Sequence, residues 1–95
     1  MRKYEIVFIV PSDVPDDGVN GVVQTVQSWI EAGKGTVVEA NVWGRRQLQY
    51  AIGQSREGTY VQLHVDMEQT SLGEFERNMQ LSQQVLRHLV IRQED

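Results

Sequence analysis

Two adjacent arginines, Arg45 and Arg46, stand in the middle of a strand-like run, Trp43-Gly44-Arg45-Arg46-Gln47-Leu48-Gln49-Tyr50-Ala51-Ile52. Two more, Arg87 and Arg92, bracket a short and very apolar run near the C-terminus, and Arg2-Lys3 stands at the other end of the chain. Cations carried on strands can reach a phosphate or a carboxylate, or can simply guard a sheet edge against aggregation. Successive side chains on a strand point to opposite faces. Arg45 and Arg46 can therefore serve one surface only if Gly44 twists the backbone locally. On the residues alone, both readings stay open.

Other chemistry finds little footing. There is no cysteine, which removes disulfides, thiolate zinc sites and thiol nucleophiles. His64 and His88 are the only histidines, and no Asp/Glu/His spacing completes a metal site around either. Gly33-Lys34-Gly35 lacks the length and the following Ser/Thr of a phosphate loop and reads as a turn. No serine occupies a nucleophile elbow, and no carboxylate pair is isolated on an apolar strand. No cofactor, metal or small-molecule substrate is expected, and the chain reads as a non-enzyme. Trp43 and Tyr60 could stack on bases. No paired aromatic motif of single-strand readers accompanies them, so packing or a partner contact is the favoured role.

The 95 residues suit a single domain, 1–95, with 40% apolar and 23% charged residues, an ordinary globular balance. No run is long enough to span a bilayer and no secretory leader precedes the first strand pattern, so a cytoplasmic protein is expected. With a net charge of −4 the chain lacks the strongly basic balance that would favour a nucleic-acid partner on electrostatic grounds, and composition alone does not suggest one. The charges are segregated, however. Asp13, Asp16, Asp17 and Glu31 fall on or near the first expected helix and Glu68, Glu74 and Glu76 near the second, whereas the cations named above fall on strands.

Residues 3–10 alternate, with Tyr4, Ile6, Phe8 and Val10 on the expected core face and Glu5, Val7 and Ile9 on the other. A helix follows over 15–32, opened by Pro15 with Asp16 and Asp17 at its positive end and closed by Gly33. Its apolar stripe is Val19, Val22, Val23, Val26, Trp29 and Ile30. A long strand runs over 36–52 with a bulge at Gly44, then a polar turn over 53–58 and a strand over 59–67. Ser71 with Glu74 three residues on is a capping-box signature for a helix over 71–82. A last strand covers 85–91, and residues 92–95 should fray. Ile6, Phe8, Val26, Ile30, Leu63, Val65, Phe75, Met79 and Val90 are the expected core. The order β-α-β-β-α-β with right-handed crossovers gives an α+β, ferredoxin-like fold: a four-stranded antiparallel sheet, order 4-1-3-2, with both helices on one face. The other face is left bare, and Val7, Ile9, Tyr60, Leu89 and Ile91 would sit there beside Glu5, an apolar area that implies a partner.

Four segments resemble the small-subunit ribosomal protein six family of bacteria. They are Arg2-Lys3-Tyr4-Glu5; Trp43, Gly44, Arg46, Leu48, Tyr50 and Ile52 in the second strand; Gly58 with Tyr60; and Met79-Gln80-Leu81 followed by Val85 to Arg92. The resemblance covers nearly the whole chain. It implies a structural protein of the cytoplasmic ribosome that binds the central domain of small-subunit rRNA as a heterodimer with small-subunit ribosomal protein eighteen. With it, Arg2, Lys3, Arg45, Arg46, Arg87 and Arg92 become candidate RNA contacts, and Glu5, Val7, Ile9, Tyr60, Leu89 and Ile91 candidate partner contacts. Arg2 and Arg87, on neighbouring strands, are expected to share one edge of the surface. Gln47 and Gln54 stand where basic residues are common, Gln49 where alanine is usual and Ala51 where proline is usual. Fewer cations imply fewer phosphate contacts and a weaker salt dependence. The alternative reading is a ferredoxin-like oligomerisation or small-ligand regulatory module using the bare face.

Overall fold

A computed structural model describes residues 1–52 and 55–93, with side chains for all of these except 49–52 and 55. Strand β1 (Arg2–Pro11) leads through a 3-10 turn (Asp16–Gly18) into helix α1 (Val19–Ala32). Strands β2 (Thr36–Ile52) and β3 (Ser55–Met67) follow, then a second 3-10 turn (Gln69–Ser71), helix α2 (Leu72–Leu81) and strand β4 (Arg87–Gln93). The sheet order is β2-β3-β1-β4 with every pair antiparallel, the expected order counted from the other edge.

The alternation along β1 does what a half-buried strand requires. Tyr4, Ile6, Phe8 and Val10 pack with Val61, Leu63, Val65 and Met67 of β3 against Val22, Val26 and Ile30 of α1 and Phe75 and Met79 of α2. Of the expected core only Val90 is not fully enclosed; it is partly buried at the edge of this cluster.

The element ends depart from expectation for local reasons. Pro15, at φ −65° and ψ 159°, lies before a 3-10 turn, and the α-helix begins only at Val19. Gly33 has an ordinary φ of −89°, and the left-handed residue after α1 is Lys34, at φ 64°. The capping box at Ser71 does not form. The 3-10 turn already places Ser71 N–H on the Glu68 carbonyl (3.0 Å), and Ser71 itself is helical. Its hydroxyl instead donates to the Gly33 carbonyl at 3.1 Å, tying the start of α2 to the end of α1.

The β2–β3 hairpin is longer than expected. Residues read as turn, Ser55 to Gly58, belong to β3, with Glu57 opposite Gln47; Gly53 and Gln54 lie outside the described residues. Strand β4 starts at Arg87 rather than 85; before it, Val85 is buried and Leu86 N–H donates to the Ile9 carbonyl at 2.8 Å. Gln93 is still in the strand, while Glu94 and Asp95, expected to fray, lie outside the described residues. The register of β2 against β3 shifts between Val42 and Gly44, where Gly44 takes φ 97°, so the expected bulge is present and Trp43 is its extra residue.

Candidate nucleic-acid interface

Residues directly opposite one another in a sheet share a face, so the register assigns every strand cation to a side. On the face away from the helices, Asp66, Lys3 and Gln93 form one row, and Glu39, His64, Glu5 and Ile91 the next. Asn41, Gln62, Val7 and Leu89 follow, then Gly44, Tyr60, Ile9 and Arg87. Arg46 faces Gly58 one row further on, where the hairpin projects beyond β4.

Charge is polarised along this face. The three carboxylates Glu5, Glu39 and Asp66 occupy the first two rows. A side-chain ladder crosses the whole sheet beside them. Asn41 Nδ2 donates to Glu39 Oε2 (2.7 Å) and to Gln62 Oε1 (3.4 Å), Gln62 Nε2 to Glu5 Oε2, and Gln93 Nε2 to Glu5 Oε1 (3.4 Å). Because Glu5 accepts from both neighbouring strands, its carboxylate is held in place rather than waving in solvent. A depression of about 300 Å³ lies at this end, lined by Lys3, Val38, His64, Asp66 and Gln93. At the other end Arg46 and Arg87 are exposed, and Arg56, two residues before Gly58, takes the same face by alternation. Among the described residues no carboxylate lies on the open face beside them.

Between the two ends the face is apolar. Val7, Ile9, Tyr60, Arg87 and Leu89 line a groove of about 350 Å³. Leu89 is 57% exposed and Ile91 40%, as a partner surface needs, and Val7 and Tyr60 are half-buried. Ile9 differs: it is only 7% exposed and forms the floor of the groove. It lies over Gly58, where an added Cβ would overlap Ile9 Cγ2. Ile9 is therefore a structural residue as much as a contact. Beside the groove, the rings of Trp43 and Tyr60 stack with centroids 6.3 Å apart and planes within 8°.

The other expected RNA contacts are not gathered here. Arg45 faces the helix side, opposite Thr59, where it bonds Asp16 Oδ1 at 3.1 Å and the Ser12 carbonyl at 3.5 Å. Gly44 thus does not bring the two arginines to one surface. Arg92 is opposite Tyr4, also on the helix side, and Arg2 is opposite Met67. Arg2 and Arg87 do not share an edge: the Arg87 partner is Ile9, seven residues along β1 from Arg2, or about 23 Å, and on the opposite face. Lys3 is on the open face but in the acidic row. Arg56 is not evident from the sequence, because its segment reads as a turn; the available signal is its alternation with Gly58 and Tyr60.

No helix among the described residues is long and apolar enough to cross a membrane, and none of them form a group of three metal-ligating side chains. The family model described as Ribosomal protein S6 matches residues 3–92. Small ribosomal subunit protein bS6 of Dehalococcoides mccartyi strain CBDB1 is 32% identical over 95 residues, covering 100% of this chain and 87% of the relative. The protein of the same name from Zymomonas mobilis is 36% identical over 92 residues, covering 97% and 74%. Among solved structures, 30S ribosomal protein S6 from Thermotoga maritima superposes with a TM-score of 0.90 at 27% identity, covering 97% of this chain and 87% of that one. The C-terminal domain of the MgtC protein from Mycobacterium tuberculosis shares the fold alone, at TM-score 0.60 and 12% identity. With the family model spanning all four strands and both helices, the chain belongs to the ribosomal protein S6 family, and with it to the small subunit of the cytoplasmic ribosome.

Proposed function

We propose that this chain is a non-catalytic, single-domain assembly protein whose open sheet face joins small-subunit rRNA to a basic protein, small ribosomal subunit protein eighteen. The observation that carries the reading is the polarity of that face. Arg46, Arg56 and Arg87 at one end suit phosphates; Glu5, Glu39 and Asp66 at the other suit a basic partner, whose apolar side chains would cover Val7, Leu89 and Ile91. An acidic chain can bind RNA on these terms, because a cationic end roughly 13–20 Å from the Glu5 row lies beyond the Debye length of about 8 Å and is largely screened from the carboxylates at physiological salt. Arg46 and Arg87 are the leading phosphate contacts. Arg2, Lys3, Arg45 and Arg92 are contacts only for an RNA segment that also reaches the far end or the helix side.

The test is the affinity of the heterodimer with protein eighteen for the central domain of small-subunit rRNA, measured across a salt series. Each lost phosphate contact should flatten the slope of log affinity against log salt by roughly 0.7–0.9. Arg46→Ala and Arg87→Ala should each do so, with little dependence on RNA sequence. Slopes that coincide with wild type would make both arginines solubilising groups on the sheet surface and end the RNA assignment.

A further inference from the structure

Among the described residues Trp43 is the one large aromatic side chain left 44% exposed on a strand, and nothing in the core uses it. Its placement is specific. It is the extra residue of the β2 bulge, and β2 is an edge strand. Tyr60 of the neighbouring strand β3 covers the inner side of the indole with a near-parallel ring. The outer side therefore faces away from the sheet, past its last strand. Two exposed arginines lie beyond it toward the hairpin end of this face: Arg46, three residues along the same strand, and Arg56, four residues before Tyr60 on β3.

We infer that the outer face of the Trp43 indole is a stacking site for one unpaired nucleobase, with Arg46 and Arg56 holding the backbone phosphates that run from that nucleotide toward the hairpin end. The inference rests on the RNA reading above and adds a subsite to it. Single-stranded nucleotides are bound by this combination, a flat aromatic for the base and cations along the backbone. Every base has a π face, so the site takes any unpaired nucleotide and reads no sequence. The bulge and the Tyr60 ring hold the indole before anything binds, so little conformational freedom remains to be lost. A protein partner fits less well. The acidic end of the face calls for a basic partner, and such a partner is repelled by Arg46, Arg56 and Arg87.

Stacking and phosphate contacts separate experimentally, because only the second releases counterions. The assay is binding of this chain to full small-subunit rRNA in the presence of the remaining small-subunit proteins, across a salt series, for wild type, Trp43→Phe, Trp43→Leu and Arg46→Ala. Trp43→Leu should weaken binding roughly 5- to 150-fold, the range for losing one base–aromatic stack, with a salt slope parallel to wild type. Trp43→Phe should keep most of the affinity, and equal urea midpoints for the two variants show that both are folded. If Trp43→Leu binds like wild type while Arg46→Ala still flattens the slope, the stacking site is refuted and the RNA reading stands. If Arg46→Ala also leaves the slope unchanged, both fall. Capture of the other small-subunit proteins without rRNA is the third arm: an equal loss there for Trp43→Leu makes the indole a protein contact and overturns the inference.

Discussion

Gly58 offers a test of the packing beneath the open face. A Cβ built there would come within 3.0 Å of Ile9 Cγ2, a separation Cβ atoms do not occupy, and 3.1 Å from the Val10 carbonyl oxygen. The first neighbour is a β-branched side chain at 7% exposure, with little freedom to rotate away. Gly58→Ala should therefore destabilise by about 1–3 kcal/mol, the usual cost of overpacking. Ile9→Ala alone should cost about 2–5 kcal/mol as a cavity. The double variant carries the argument. With Cγ2 gone the new methyl enters the space that Ile9 vacated, and alanine loses less backbone freedom on folding than glycine, worth about 0.4–1 kcal/mol. In the Ile9→Ala background, Gly58→Ala should then be close to neutral, the Val10 carbonyl contact offsetting part of the gain. Urea unfolding of the four proteins gives a coupling energy from the cycle, expected to exceed about 1 kcal/mol. Additive effects would mean that Gly58 is needed for its backbone alone and that Ile9 does not rest on it.

Two further predictions follow from places where the structure departs from the sequence reading. Ser71→Ala should cost about 0.5–1.5 kcal/mol by urea unfolding, because it removes the hydroxyl donated to the Gly33 carbonyl, while Glu74→Ala should change little; the reverse ranking would restore the capping box. Leu89→Lys should leave the monomer folded by circular dichroism and remove binding of protein eighteen, whereas Ile9→Lys should unfold it by placing an unpaired ammonium at a buried site. A stable, cooperatively unfolding Ile9→Lys monomer would show that the groove floor opens readily and that Ile9 is a surface residue.

The sheet order, the core face of β1 and the bulge at Gly44 were legible because each is written in local chemistry: strict alternation, β-branched runs, and a glycine inside a strand pattern. The helix starts were less legible. A 3-10 turn satisfies the first N–H groups as well as a side-chain cap does, and the motif at Ser71 carries no sign of which will be used. The cations were legible as a set and not as an arrangement. Alternation gives each strand cation a face, but which row Arg2 or Arg87 occupies depends on register, and register is a property of strand pairs. Arg45 and Arg46 show what alternation alone decides. They are neighbours in sequence, yet one bonds Asp16 on the helix side and the other lies on the open face with Gly58. Arg56 was hidden for a related reason, since a polar Gly-flanked stretch gives no warning that a hairpin continues through it.

Polarity along one face also bears on how two partners of opposite charge would find their own ends. A phosphate placed about 10 Å from one carboxylate is repelled by about 0.4 kcal/mol in water before salt screening. Three carboxylates at the first two rows together contribute about 1 kcal/mol, and three guanidiniums at the far end attract by a similar amount. Moving RNA to the carboxylate end replaces about 1 kcal/mol of attraction by about 1 kcal/mol of repulsion, and moving a basic protein to the arginine end does the same, so the orientation preference reaches about 4 kcal/mol unscreened and a fraction of that at physiological salt. No single pair decides it. This is orientation by many weak terms, which steers encounter more than it tightens the final complex. The contacts that hold afterwards have to be short-ranged: Leu89 and Ile91 under an apolar partner, and Arg46 with the Trp43 indole against one nucleotide. Net charge is blind to this arrangement, because a sum over the chain discards position, and a chain at −4 can carry a local RNA surface when its acids and its arginines are kept several strand residues apart.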